Sequence, residues 1–139
     1  MNKLKTIIII AFIFVSKISL CQFIVLNDKT TEKEFIENWV KTVTIIKKGF
    51  PMKIDNNTIL DSVSFIKSKK IMNYYYTMNN MDLSIQNKSA FNEVGTKKII
   101  DENLKNKNTS PYMKKFNVQF YYYYYDKNGI EISILKGDF

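Results

Sequence analysis

Along this chain the apolar positions change period in a way that marks out successive elements. The most clearly bounded is a helix. Thr31-Glu32-Lys33-Glu34 forms a capping box, in which Thr31 and Glu34 satisfy each other's backbone donors. Behind it, Phe35, Ile36, Trp39, Val40, Val43 and Ile46 recur at three- and four-residue spacing on one stripe. Lys47 and Lys48 suit the negative end of that helix. Gly49 is placed for a left-handed cap, and Pro51 cannot continue the helix.

The period then shortens to two. After the turn residues Asp55-Asn56-Asn57, strand-forming residues run from Thr58 to Ile66, and Lys67 to Lys70 make a polar turn. From Ile71 to Met78 the faces separate: Met72, Tyr74, Tyr76 and Met78 point one way, and Asn73, Tyr75 and Thr77 the other. These two runs read as an antiparallel hairpin. Residues 79–90 are polar and loop-like. A weaker helical pattern spans Ser89 to Leu104 through Phe91, Val94, Ile100 and Leu104, with Gly95 as a weak point, and Asn106 to Thr109 break it. Ser110-Pro111 opens a short helix carrying Tyr112, Met113 and Phe116.

A second hairpin closes the chain. Val118 to Tyr125 is strongly strand-forming, Asp126-Lys127-Asn128-Gly129 is a tight turn, and Ile130, Ile132 and Ile134 alternate with Glu131 and Ser133. The order is α-β-β-α-β-β, which predicts an α+β domain: a four-stranded, mainly antiparallel sheet with helices packed on one face.

The first residues follow another logic. Lys3 and Lys5 form a positive head, Ile7 to Val15 an apolar run, and Ser16 to Cys21 a polar-to-small tail. That is the layout of a secretory signal peptide, and the run is shorter than the ~20 apolar residues of a membrane span. Ser19-Leu20-Cys21 suits cleavage before Gln22, giving a signal peptide over 1–21 and one exported domain over 22–139 with no transmembrane segment. The alternative is a lipoprotein signal in which Cys21 is acylated and kept as a lipid anchor. Leu20 stands where that route usually takes Gly, Ala or Ser.

Composition narrows the chemistry. Cys21 is the only cysteine and there is no histidine. A mature chain starting at Gln22 would hold no disulfide, no Ser-His or Cys-His nucleophile, and none of the usual zinc or copper ligand sets. We therefore expect no catalytic, cofactor-binding or metal-binding residues and no cofactor. The net charge of +8 comes entirely from lysine, without a single arginine. Removing Lys3, Lys5 and Lys17 leaves 18 lysines against 13 acids. Lysines without arginine forks or a clustered stripe describe a solvated surface, so no nucleic-acid partner is expected.

At Pro51-Met52-Lys53-Ile54-Asp55-Asn56-Asn57-Thr58-Ile59-Leu60-Asp61 the chain resembles small exported bacterial proteins with a Pro-Met-x-Val/Ile-Asp-x-x-Thr-x-Leu-Asp core after a first helix. Their Tyr-x-Tyr-Thr strand is matched by Tyr74 to Thr77, and their Ser-Pro-x-Met segment by Ser110 to Met113. Their tyrosine-rich strand and Asp-x-x-Gly turn are matched by the run ending in Asp126 to Gly129. The sequence departs from that pattern at Asn108, where a cysteine is expected, and at Ile59, where a basic residue is common. The resemblance implies export and this fold, and it supplies no activity.

Two sets of residues are candidates for a site. Asp55, Asp61, Glu93, Asp101 and Glu102 are the carboxylates a hydrolase of envelope polymers would draw on, but the sequence pairs none of them across a cleft. Turn capping and a solvated helix face account for them. Tyr121 to Tyr125 is the more unusual feature. Strand alternation puts Tyr122 and Tyr124 with Val118 and Phe120 on one face, and Tyr121, Tyr123 and Tyr125 with Gln119 on the other, with Tyr75 as a neighbour. Those rings either pack on one another across the sheet or form a surface for a partner. The reading adopted is a periplasmic or secreted binding protein without catalysis, whose partner is another envelope or secreted protein, or a glycan, at Tyr75, Tyr121, Tyr123 and Tyr125. The alternatives are the carboxylate hydrolase and an immunity-type inhibitor of an extracytoplasmic toxin.

Overall fold

The computed structural model describes residues 28–79, 85–105 and 110–137. The expected signal peptide over 1–21 with Cys21, the expected break at 106–109 with Asn108, and the first part of the polar stretch after Asn79 lie outside the described residues.

Helix α1 (Glu32–Ile46) starts as its sequence dictates. Thr31 Oγ1 accepts from the Glu34 backbone N–H at 3.3 Å, and Glu34 Oε2 accepts from the Thr31 N–H at 2.9 Å. Its buried stripe is Phe35, Ile36, Trp39, Thr42 and Val43. The left-handed cap expected at Gly49 does not form. The helix instead tightens into a 3-10 turn, Lys47–Gly49, closed by the Phe50 N–H on the Lys47 carbonyl at 3.4 Å. Tighter bonds of this kind occupy the last carbonyls without a left-handed residue. Phe50 is extended, as a residue before proline prefers, and the Phe50-Pro51 peptide is cis.

Five strands follow: β1 (Met52–Lys53), β2 (Thr58–Ile66), β3 (Ile71–Met78), β4 (Gln119–Asp126) and β5 (Glu131–Gly137). Between β3 and β4 run helices α2 (Ile85–Lys105) and α3 (Ser110–Lys115). The sheet order is β1-β2-β3-β4-β5. All neighbours are antiparallel except β3 and β4, which are parallel. The α+β class and both hairpins stand, but the four-stranded, mainly antiparallel sheet is corrected to a five-stranded mixed one. The extra strand is a two-residue return from the Asp55 turn onto Leu60 and Ile59, too short to show a period. The parallel pair arises because the chain crosses back through two helices between β3 and β4, so the hairpins join side by side in the same direction.

Helix α2 runs through Gly95, which is buried, and it begins four residues before Ser89, so the expected weak point does not interrupt it. Helix α3 ends at Asn117, whose φ of 55° is the left-handed conformation that asparagine tolerates. There the Val118 N–H closes on the Met113 carbonyl at 2.9 Å.

One core holds these pieces. Phe35 and Trp39 of α1, Phe91 of α2, Met113 of α3 and Phe116 just after it join Leu60, Val63, Met72, Tyr74, Tyr76, Phe120, Tyr122 and Tyr124 from one face of the sheet. The Phe35 and Phe116 rings meet at 5.0 Å, and the Phe91 and Tyr124 rings stand nearly perpendicular at 4.9 Å. The helices thus share one face, as expected. The alternation expected of Ile130, Ile132 and Ile134 is only partly kept. Ile132 is buried, whereas Ile130 and Ile134 are 65% and 45% exposed. A register shift between Tyr124 and Tyr125 interrupts the period of two, as a bulge does, so that Ser133 and Leu135 face the core.

Candidate functional site

The face opposite the helices is laid out by strand register. Because β3 and β4 run parallel and in step, Tyr74, Tyr75 and Tyr76 lie beside Tyr122, Tyr123 and Tyr124. Each pair stacks, at 5.1, 5.1 and 5.0 Å between ring centroids. The outer pair of these three belongs to a wider pattern of rows running across the sheet. One row is Ser64, Asn73, Tyr121 and Lys136; the next is Ser62, Tyr75, Tyr123 and Ile134; the third is Ile59, Thr77, Tyr125 and Glu131. Tyr75, Tyr121, Tyr123 and Tyr125 are all half-buried, and among the described residues no helix packs over them.

The structure therefore brings together all four tyrosines singled out by sequence. It also shows that the two readings of them coexist. Tyr75 and Tyr123 pack on each other, and Tyr121 lies 6.4 Å from Tyr123 at a shallow interplanar angle, yet part of each ring stays accessible. Rings stacked across strands about 4.8 Å apart stand upright on the sheet, so edges and hydroxyls, rather than flat faces, point outward. Partial burial, and then the neighbouring Tyr75, Tyr125, Tyr121 and Glu131, push the Tyr123 phenol above its ordinary value and keep it a neutral donor.

Asn73 is the residue of this face that sequence reasoning passed over. Its Nδ2 donates to Ser64 Oγ at 3.1 Å, and Ser64 Oγ lies 3.4 Å from the Tyr75 hydroxyl. Although it shares the outer rows, Asn73 is only 3% exposed. A lone polar residue between Met72 and Tyr74 carries no sequence signal for that burial.

Of the carboxylates, Asp55 and Asp61 belong to the β1–β2 turn and to β2, whereas Glu93 and Asp101 share α2 and line one open depression with Asn92, Thr96 and Lys97. Asp55 Oδ1 accepts from the Asn57 N–H at 2.7 Å and so organises the turn after β1. Asp61 caps no turn and lies within β2. It is the extra residue of a β2 bulge between Leu60 and Ser62, and its Oδ2 accepts from Thr77 Oγ1 at 2.8 Å. Glu93 and Asp101 are exposed on α2, and the side chain of Glu102 lies outside the described residues. Among the described residues, no group of three or more histidine, cysteine or acidic side chains is placed to hold a metal ion. A shallow depression of about 670 Å³ lies between α1 and the β2–β3 turn, where Lys70 bridges Glu32 at 2.9 Å. Among the described residues no helix is long and apolar enough to cross a membrane.

Comparison with known proteins extends this picture at the level of fold. No curated protein sequence matches the chain. Among solved structures, a candidate secreted protein of Pseudomonas aeruginosa shares the fold with a TM-score of 0.57 at 7% identity, over 77% of this chain and 92% of that one. The pilotin EpsS of the Vibrio vulnificus type 2 secretion system does so with a TM-score of 0.53 at 11% identity, over 76% of this chain and 88% of that one. In sequence, residues 26–133 match the family described as Domain of unknown function (DUF8479), and the chain belongs to that family.

Proposed function

We propose that this is an exported binding protein of the cell envelope or its surroundings, which engages another protein through the outer sheet face. The observation that carries this reading is the four-tyrosine surface. Tyr75, Tyr121, Tyr123 and Tyr125 are ordered by stacking, partly accessible, and clear of any helix among the described residues. Rigid amphipathic rings of this kind give contact area at little entropic cost and offer hydroxyls to a partner's backbone and side chains. Upright rings favour a protein over a glycan, because sugars stack on exposed ring faces. The leader-like first 21 residues support export. So does the fold shared with a candidate secreted protein and with a pilotin of a secretion system.

The test is co-purification of the tagged protein from its native envelope. One stoichiometric protein partner is the expected result. Recovery of polysaccharide in place of protein would sink the protein-partner reading.

A further inference from the structure

Lysines far apart in the sequence are gathered by folding at one end of the sheet. Lys67, Lys69 and Lys70 belong to the β2–β3 turn. The Lys70 carbonyl accepts from the Gln119 N–H at 3.0 Å, which sets the exit from α3 beside that turn. Lys114 and Lys115 end α3. Lys115 Nζ lies 5.1 Å over the Phe116 ring, and Phe116 meets Phe35 in the first turn of α1. Lys33 stands on that same turn and lines the depression with Lys67 and Lys70. These six lysines stand with three acids, Asp28, Glu32 and Glu34. Glu32 is taken up by Lys70 at 2.9 Å, and Glu34 by the Thr31 cap. Lys33, Lys67, Lys69, Lys114 and Lys115 are all exposed. The opposite end of the sheet is mixed in charge, with the Asp55 and Asp126 turns beside Lys53 and Lys127.

One apolar side chain breaks the surface among these lysines. Ile66 ends β2 immediately before Lys67, pairs with Ile71 across the turn and is 40% exposed. An apolar residue rimmed by lysines fits a lipid bilayer. Anionic headgroups take the ammonium groups, and the acyl boundary takes the isoleucine. A soluble polyanion offers the first contact and not the second. Lysine suits such a surface without arginine, because a flexible stem carrying a point charge needs no bidentate geometry. We infer that this end of the domain docks on an anionic phospholipid surface. The strands then run away from the membrane, and the outer face with Tyr75, Tyr121, Tyr123 and Tyr125 stands at the side, open to a partner. This goes beyond the partner-binding reading and fails separately from it, because membrane binding is measured with no partner present.

Co-sedimentation of the purified protein with phosphatidylcholine vesicles, with and without phosphatidylglycerol, tests it. Binding is expected only where phosphatidylglycerol is present, and it should fall as salt is raised. The triple variant Lys67→Gln, Lys69→Gln and Lys114→Gln should lower partitioning about a hundredfold, at about fivefold for each lysine. The same change of charge at the other end, Lys47→Gln with Lys53→Gln and Lys127→Gln, should lower it by less than about fivefold, since those groups lie beyond the screening length from the surface. Ile66→Ser leaves the charge unaltered and should lower partitioning about threefold or more. The substituted side chains are exposed, so circular dichroism should match the parent in every variant. Equal sedimentation with both kinds of vesicle would overturn the inference, as would equal losses from the two triple variants. Undiminished binding by Ile66→Ser would overturn the lipid assignment and point to a soluble polyanion.

Discussion

Tyr124→Ala is expected to leave the domain largely unfolded at physiological temperature, whereas Tyr123→Ala, one residue away, leaves it folded. Tyr124 is fully buried, stacks on Tyr76 at 5.0 Å and meets Phe91 nearly perpendicular at 4.9 Å, so it ties two central strands to α2. Truncating a buried aromatic residue costs about 3–5 kcal/mol, a large share of the ~5–15 kcal/mol that holds a domain together. Tyr123 lies on the opposite face, half-buried, and loses chiefly its stack on Tyr75, worth about 0.5–1.5 kcal/mol. Thermal melts of the two variants beside the parent give the comparison. Equal losses would show that both faces of β4 are core.

The second large effect lies at high pH. Burial raises the phenols of Tyr74, Tyr76 and Tyr124 above their ordinary value of 10.0, and in Tyr76 and Tyr124 neighbouring phenols add to it. A group whose folded pKa lies above its unfolded one contributes its full stabilisation below the unfolded value. As pH rises through 10.0 toward the folded values, the unfolded chain gives up these protons while the folded one keeps them, so stability falls. Each such phenol removes about 1.4 kcal/mol per pH unit over that window, and the three together about 4 kcal/mol. Alkaline titration followed by phenolate absorbance and circular dichroism should show the exposed tyrosines ionising first. The buried set should then ionise in one cooperative step coincident with unfolding. Smooth ionisation of all nine tyrosines near the ordinary value, with the fold intact, would contradict the core described above.

Much of this arrangement is legible in the sequence because it is local. The Thr31–Glu34 box, the spacing from Phe35 to Val43, and the two-residue period of Ile71 to Met78 each lie within a few residues of chain, and the structure follows them. The facing of Tyr121, Tyr123 and Tyr125 was legible for the same reason. What the sequence leaves open is how distant pieces meet. Nothing in either tyrosine run states that Tyr74 to Tyr76 will lie in step with Tyr122 to Tyr124 on a parallel strand, since that register is set by the path through α2 and α3. The bulges escape for another reason. They break the period on which strand reading relies, and so Ile134 is exposed although alternation groups it with the buried Ile132. Gly95 shows packing overriding propensity. Inside a helix it costs about 1 kcal/mol against alanine, yet there it is buried within α2.

The central claim is that the outer tyrosines serve a partner and the inner ones serve the fold. It is tested most directly by the triple variant Tyr121→Thr, Tyr123→Thr and Tyr125→Thr, whose threonines keep a strand-forming residue at each position. Its unfolding transition and its capture of the envelope partner are to be measured side by side with the parent. The account predicts a cooperative transition retained at somewhat lower temperature and the partner lost. Partner capture undiminished in the triple variant, or a chain that no longer folds, would contradict it.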